Sequence, residues 1–167
     1  MMKKILLTSF QTWMPHQTSN SSDDLLARVQ EETFSDRELI FLRNLPVDTE
    51  KASQKAIALL QEISCDRIVC CGMAESRQVL TVESNARRGK ECLKTAIALP
   101  TLVSQLNTTQ ISHDAGQFVC EGLYFKILDY LLRLPSSCLG LFVHVPVLTP
   151  ENETEILEDF KKLLSLV

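Results

Sequence analysis

The sequence predicts an α/β domain: a three-layer α/β/α arrangement with a mixed, mostly parallel central sheet. Two observations lead there. Short apolar runs alternate along the chain with stripes of helical period, the order that builds layered α/β folds with right-handed crossovers. One of those runs, IVCC at 68–71, is unbroken by polar residues, as in a strand buried on both faces. The 167 residues, 45% hydrophobic and 23% charged, suit one globular domain spanning 1–167. A net charge of −4 argues against nucleic-acid partners and anionic membrane surfaces. No apolar run approaches the ~20 residues needed to cross a bilayer.

The first strand is expected at Lys3–Ser9. The opening MMKKILLTSF carries apolar character only at Ile5–Leu7 and no small-residue cleavage site follows, so it reads as a strand rather than a signal segment. A polar loop follows that exposes two aromatics, Phe10 and Trp13, which either cover the edge of the core or form a ligand wall. Loops of that length are often functional. Ser22 or Asp23 can cap a helix to about Glu32, with Leu25, Leu26 and Val29 inward. Glu38–Arg43 is a second strand, closed by Leu45-Pro46-Val47. Asp48 or Thr49 caps a helix to about Ile63, whose stripe is Ala52, Ala56, Leu59, Leu60 and Ile63.

Arg67–Cys71 is a third strand ended by Gly72, with Cys70 and Cys71 facing opposite sides in the core. Gln78–Glu83 is a fourth, followed by a polar turn, NARRGKE. There Arg87 and Arg88 read as solvated surface, an anion site being the alternative. Pro100 opens a short helix to about Leu106, and Gln110–Ser112 is a short strand. Leu123, Ile127, Leu128, Leu131 and Leu132 form the inward stripe of the next helix, closed by Pro135. Leu139–Val145 is the last strand. Thr149-Pro150-Glu151 supplies cap, N1 proline and first-turn acid for a helix to about Leu166.

Chemistry concentrates at SHDAGQFVCE, 112–121, where Cys120 follows an Ala-Gly turn and opens a helix. Unpaired N–H groups and the helix dipole there favour a thiolate and could hold an oxyanion. Such a thiol is expected to titrate at ~3.5–7.5. A small buried hydrophobe is the plainer alternative. A cysteine nucleophile needs an imidazole to move the proton and a third group to orient it. His144 lies at the carboxyl end of the last strand, where α/β sheets gather reactive groups. His16 and His113 compete as bases. Glu83, at another strand end, could orient the ring. A core histidine and a solvated carboxylate are the alternatives for this pair. The six cysteines, 65, 70, 71, 92, 120 and 138, contain no C-x-x-C and no zinc-ligand spacing. They suggest reduced thiols in a cytoplasmic protein and speak against thiol redox chemistry.

Four local patterns resemble the pyroglutamyl peptidase I (pyrrolidone-carboxylate peptidase) family of cysteine peptidases. Ser112-x-Asp114-Ala115-Gly116-x-Phe118-Val119-Cys120 resembles its nucleophile motif. Gly72, Arg77 and Thr81-Val82-Glu83 are similar to the segment with the acidic residue. Phe142-Val143-His144-Val145-Pro146 is similar to the histidine segment. Thr8-x-Phe10-x-x-Trp13 with Asn20 is similar to the N-terminal loop, and Leu45-Pro46-Val47 also fits. The resemblance implies that Cys120 attacks the amide carbonyl after an N-terminal pyroglutamate, that His144 relays the proton and that Glu83 orients His144. It implies that Phe10 and Trp13 flank the lactam ring and that Asn20 braces the site. It implies a peptide or small amide substrate, no metal or organic cofactor, and leaves a homo-oligomer open.

The chain also departs from the family pattern. The loop after Glu83 is much shorter than the family's, which supplies part of the substrate wall and an oxyanion-stabilising arginine. Arg87 or Arg88 could substitute. Glu75-Ser76 replace a glycine pair, Glu121 follows the cysteine, and Met14-Pro15 stand where a glycine is usual. A peptidase removing pyroglutamate or a similar small cap is the leading expectation. A catalytically weak or inactive relative that binds a small molecule or protein is the alternative, separated from it by Cys120-dependent turnover.

Overall fold

The computed structural model describes residues 2–167. It contains a six-stranded sheet in the order β2-β1-β3-β8-β4-β7 and a separate two-stranded hairpin, β5-β6. The strands are β1 Lys3–Phe10, β2 Arg37–Leu45, β3 Arg67–Met73, β4 Thr81–Glu83, β5 Asn85–Arg88, β6 Glu91–Lys94, β7 Gln110–Ser112 and β8 Leu139–Val145. The helices are α1 Ser21–Val29, α2 Thr49–Glu62, α3 Leu99–Val103, α4 Val119–Arg133 and α5 Glu153–Leu166. β1, β2, β3 and β8 run parallel, β4 lies antiparallel to β8, and β7 is parallel to β4. The sheet is therefore mixed and mostly parallel, as the apolar runs required.

Strand alternation sorts the core into two layers. Ile5, Leu7, Val69, Cys71, Leu141 and Val143 pack with α1, α3 and α5 on one face. Leu6, Ile68, Cys70 and Phe142 pack with α2 and α4 on the other. The adjacent Cys70 and Cys71 are both fully buried and belong to opposite layers. α2 and α4 approach closely because Gly122 has no side chain: a Cβ there would meet Thr49 Oγ1 at 2.5 Å.

Several boundaries differ from the sequence expectation. Asn20, rather than Ser22 or Asp23, caps α1, its Oδ1 accepting from Ser22 N–H at 3.0 Å. Gly72 does not end β3, because its N–H and C=O sides still pair with β8 through Met73. Only Thr81–Glu83 of the expected fourth strand pairs with β8 and β7. The polar NARRGKE segment is not a plain turn: it folds as the β5-β6 hairpin about Gly89 at φ 59°, with Asn85 and Ala86 buried. Thr149-Pro150-Glu151 forms a turn ahead of α5, which starts at Glu153. Leu132 points to solvent at 70% exposure, so the α4 stripe is one residue narrower than expected.

Phe10 is not a surface aromatic. It is 2% exposed and packs with Leu45 and Leu123 on the α2–α4 side of the sheet, while Trp13 is 48% exposed. Both follow from the backbone: Phe10 still belongs to β1, and Trp13 lies three residues past it in the loop.

Asp159 ties the α3–β7 connection to α5. Its fully buried carboxylate accepts from the backbone N–H groups of Asn107, Thr108 and Thr109 at 2.7, 3.1 and 2.9 Å, and from the Thr109 hydroxyl at 2.6 Å. Burial opposes its ionisation, but these donors outweigh it and hold the carboxyl below its usual range. A carboxyl depressed on folding contributes stability above its unfolded pKa, and that contribution is lost as pH falls through the folded value. Asp159→Ala leaves those donors unpaired, and urea unfolding is expected to show a loss of about 2–4 kcal/mol at neutral pH, shrinking below about pH 4.

Candidate active site

The carboxyl ends of β1, β3 and β8 open onto a cleft of about 890 Å³, in the range that holds small organic ligands. It lies where the strand order reverses on either side of β1, the usual ligand position in open α/β sheets. Cys120, His144, Phe10, Trp13 and Asn20 all line it. Glu83 does not reach the cleft wall; it stands behind His144.

Register explains how distant residues meet. Gly72 of β3 pairs with His144 of β8, and Thr81 of β4 lies across from the same histidine. Glu83, two residues along β4, shares a sheet face with Thr81 and reaches the His144 ring diagonally. Because β4 runs antiparallel, Glu83 sits beside Phe142, inside the sheet rather than at its edge. The Glu83 side chain is fully buried, and its Oε1 lies 2.7 Å from His144 Nδ1, itself in a side chain only 7% exposed. This contact favours the proton on Nδ1 and leaves Nε2 as the free ring nitrogen. Arg77 Nη2 stands 3.7 Å from the same oxygen and donates to Ser112 Oγ and the Asp114 carbonyl, both at 3.1 Å. Thr81 Oγ1 lies 3.5 Å from Oε1, and the Tyr124 hydroxyl donates to the Glu83 carbonyl at 2.9 Å.

Cys120 occupies the first turn of α4. The segment before it is shaped by Gly116 at φ 89°, whose N–H donates to Asp114 Oδ1 at 2.9 Å. The β5 strand holds the same segment from outside: Asn85 Nδ2 and Arg87 Nη2 both donate to the His113 carbonyl, at 3.1 and 3.0 Å. Cys120 Sγ lies directly over Gly72, where an added Cβ would come within 2.6 Å of the sulfur. Since Gly72 is the register partner of His144, the sulfur lies over the strand next to the one that carries the imidazole.

The thiol differs from its sequence expectation. Burial pushes Cys120 up to about 12, with the neighbouring Cys70 and Glu83 adding to the rise. The helix N-terminus acts locally, whereas the buried thiol and carboxylate beneath the cysteine act at close range through a poorly solvated interior. His16 and His113 are both occupied outside this arrangement. His16 Nε2 meets Glu75 at 3.1 Å, and His113 Nδ1 meets Ser84 Oγ at 2.7 Å.

The cleft mouth contains groups that sequence patterning did not single out. Phe118, 72% exposed at the α4 N-cap, faces Trp13 with ring centroids 5.9 Å apart. Its place two residues before Cys120 was the available signal. Gln17 accepts from the Trp13 and Met14 N–H groups and donates to Glu75 at 2.7 Å, which ties the N-terminal loop to the β3–β4 connection. Asn20 donates to the Gln11 carbonyl at 3.1 Å and caps α1, so its side chain fixes the loop from inside. Of the two arginines after Glu83, Arg87 lines the cleft, whereas Arg88 lies over the Phe125 ring at 4.3 Å. Glu121 also lines the cleft; burial raises its carboxyl, with Arg87 opposing the rise.

No protein-family model matches the chain. Over 90% of its length it is 26% identical to the pyrrolidone-carboxylate peptidase of Brevibacillus brevis, covering 81% of that protein. It is 24% identical to the pyrrolidone-carboxylate peptidase of Brachyspira hyodysenteriae over 89% of this chain and 85% of that protein. Its fold superimposes on the crystal structure of pyroglutamyl peptidase I from Bacillus amyloliquefaciens with a TM-score of 0.86 at 20% identity, covering 98% of this chain and 93% of that one. The pyrrolidone carboxyl peptidase of Thermococcus litoralis gives 0.82 at 18% identity, covering 99% and 93%. The resemblance carried by the local motifs thus extends along nearly the whole chain, and the protein is pyroglutamyl-peptidase-like in sequence and fold.

A resting thiol pushed to about 12 predicts how Cys120 alkylates. Its iodoacetamide rate is expected to stay low at neutral pH and to climb tenfold per pH unit well beyond the ~8.5 of an ordinary cysteine. A rate that levels off at or below neutral pH would instead reveal a resting thiolate.

Proposed function

We propose that the protein is a cysteine hydrolase that removes N-terminal pyroglutamate, or a similarly small cyclic cap, from peptides or amides, with Cys120, His144 and Glu83 as its catalytic set. The observation that carries this reading is the buried 2.7 Å contact between Glu83 and His144, with the Cys120 sulfur packed over Gly72, the register partner of His144, in a cleft open to solvent. An imidazole held at Nδ1 by a carboxylate can accept a proton at Nε2 and return it.

A thiol raised by desolvation fits a route in which His144 Nε2 takes the proton as sulfur attacks the carbonyl carbon. The same proton then goes to the departing amine. Glu83 stabilises the imidazolium that forms between those events. Arg77 holds Glu83 from the other side. The oxyanion faces the first-turn N–H groups of α4, which carry no side-chain cap. The exposed Trp13 and Phe118 rings would hold the flat apolar part of the cap, with Phe10 as the buried floor.

The second reading, a catalytically weak relative that binds rather than turns over, is favoured by that same raised thiol and by a cleft far roomier than a five-membered lactam needs. The deciding experiment is hydrolysis of a fluorogenic pyroglutamyl amide under reducing conditions. Turnover is expected from the native chain and none from Cys120→Ala. Glu83→Gln is expected to lower kcat by about 10²–10⁴-fold with little change in KM. Binding of the amide without turnover in the native chain would move the assignment to the second reading.

Trp13→Ala and Phe118→Ala test the aromatic walls separately. Each is expected to raise KM by about tenfold, near the 1.4 kcal/mol that one aromatic contact supplies, while kcat changes less. A drop confined to kcat would place these rings at the reacting centre instead of around the cap.

A further inference from the structure

Cys65 and Cys138 are 73 residues apart in sequence, yet their sulfurs lie 3.5 Å apart. Both precede strands: Cys65 stands just before β3 and Cys138 just before β8. Those strands pair in parallel from Arg67 and Leu139 onward, and Leu139 N–H donates to the Asp66 carbonyl at 3.1 Å. The cysteine at 65 is also anchored through its neighbour, since Asp66 N–H donates to the Lys4 carbonyl at 2.8 Å and Asp66 Oδ2 accepts from Lys4 N–H at 2.8 Å. Backbone hydrogen bonds therefore fix the two thiols side by side before any reaction. A disulfide needs sulfurs about 2.05 Å apart, so a small χ1 adjustment closes the remaining gap.

We propose that Cys65 and Cys138 form a reversible redox site, in which a hydroperoxide oxidises the pair to a disulfide that staples the start of β3 to the start of β8. In the first step the Cys65 sulfur attacks the peroxide's terminal oxygen and the O–O bond breaks. The leaving oxygen takes up a proton as water or alcohol, and Cys65 becomes a sulfenic acid. The Cys138 sulfur then attacks the Cys65 sulfur, the S–O bond breaks, and hydroxide leaves as water with the Cys138 proton. Two electrons pass from the sulfurs to the peroxide, and a low-molecular-weight thiol returns them by exchange.

The environments of the two thiols divide the roles. Cys65 is half-buried and within reach of an oxidant, which suits the thiol attacked first. Cys138 is buried, which suits a resolving thiol shielded from oxidant. The pair lies at the end of β3 and β8 opposite the cleft, so it acts on the strands that carry Gly72 and His144 without entering the site. This separates it from the six-cysteine reading of the sequence, where the absence of C-x-x-C spoke against any redox pair: sheet pairing, not sequence spacing, brings these sulfurs together.

The test uses the full chain, treated with one equivalent of hydrogen peroxide under native conditions and then blocked with iodoacetamide. Before blocking, intact mass is expected to fall by two hydrogens. Non-reducing peptide mapping is expected to find Cys65 joined to Cys138, with Cys120 still alkylatable after denaturation. The melting temperature is expected to rise by several degrees, because the cross-link closes a long loop, and dithiothreitol is expected to reverse it. Cys65→Ser should lose the mass change and the stabilisation together; Cys92→Ser, which removes the exposed cysteine, should keep both. The proposal is overturned by an unchanged mass, by Cys65 advancing to sulfinic acid without cross-linking, or by a covalent dimer through Cys92 that leaves Cys65 and Cys138 reduced. None of these readouts depends on peptidase activity.

Discussion

The site depends on one absence of atoms. Gly72 has no Cβ, and the sulfur of Cys120 occupies the space above it, with the Phe142 ring alongside at 2.9 Å from where a Cβ would stand. That close approach lets the first turn of α4 press against β3. The β3–β8 register then converts the position of the sulfur into a position relative to His144, because Gly72 and His144 are partners. A methyl group at this point would push the helix off the sheet or turn the sulfur away, and overpacking of that kind typically costs about 1–3 kcal/mol. Gly122 acts in the same way two residues after Cys120, where α4 crosses the first turn of α2 at Thr49. Two glycines thus set the depth of α4, and the depth of α4 sets the place of the Cys120 sulfur.

Around that contact the electrostatics are arranged for a guarded charge. A carboxylate with no solvent exposure is tolerable only when charge partners and donors surround it. Glu83 has the His144 imidazole at 2.7 Å and the Arg77 guanidinium at 3.7 Å, both on Oε1. Arg77 in turn donates into the 112–114 segment that leads to Cys120. Glu83, His144 and the loop before Cys120 are therefore linked through Arg77 and are not three independent strand ends. The β5-β6 hairpin closes it from outside through the bonds of Asn85 and Arg87 to His113. The hairpin thereby fixes the entry to the cysteine helix.

Sequence patterning revealed the parts of this design that depend on local periodicity. The buried strands β1, β3 and β8 and the inward stripes of α1, α2 and α4 were readable because apolar spacing maps directly onto a face. What was not readable depends on partners far along the chain. The NARRGKE hairpin has polar composition and becomes strand only because Asn85 and Ala86 find a buried place against α4. Phe10 looked like a loop aromatic because its burial comes from β2 and α4, not from its neighbours. The direction of the Cys120 thiol was misjudged for a related reason: the helix start is local, while Cys70 and Glu83 arrive from other strands. Cys65 and Cys138 looked unrelated because only the β3–β8 pairing makes them neighbours.

The raised thiol and the buried acid belong to one physical trade. Burying Glu83 beneath the site strengthens its hold on His144, because the interaction is felt through low-dielectric surroundings. Desolvation, the neighbouring Cys70 and that carboxylate together raise the Cys120 thiol. In the mechanism proposed above, proton transfer is coupled to attack, so negative charge would appear on the substrate oxygen at the α4 N-terminus and positive charge on the imidazole facing Glu83. Both would meet groups already in place, and a standing thiolate with a counter-charge of its own would not be required.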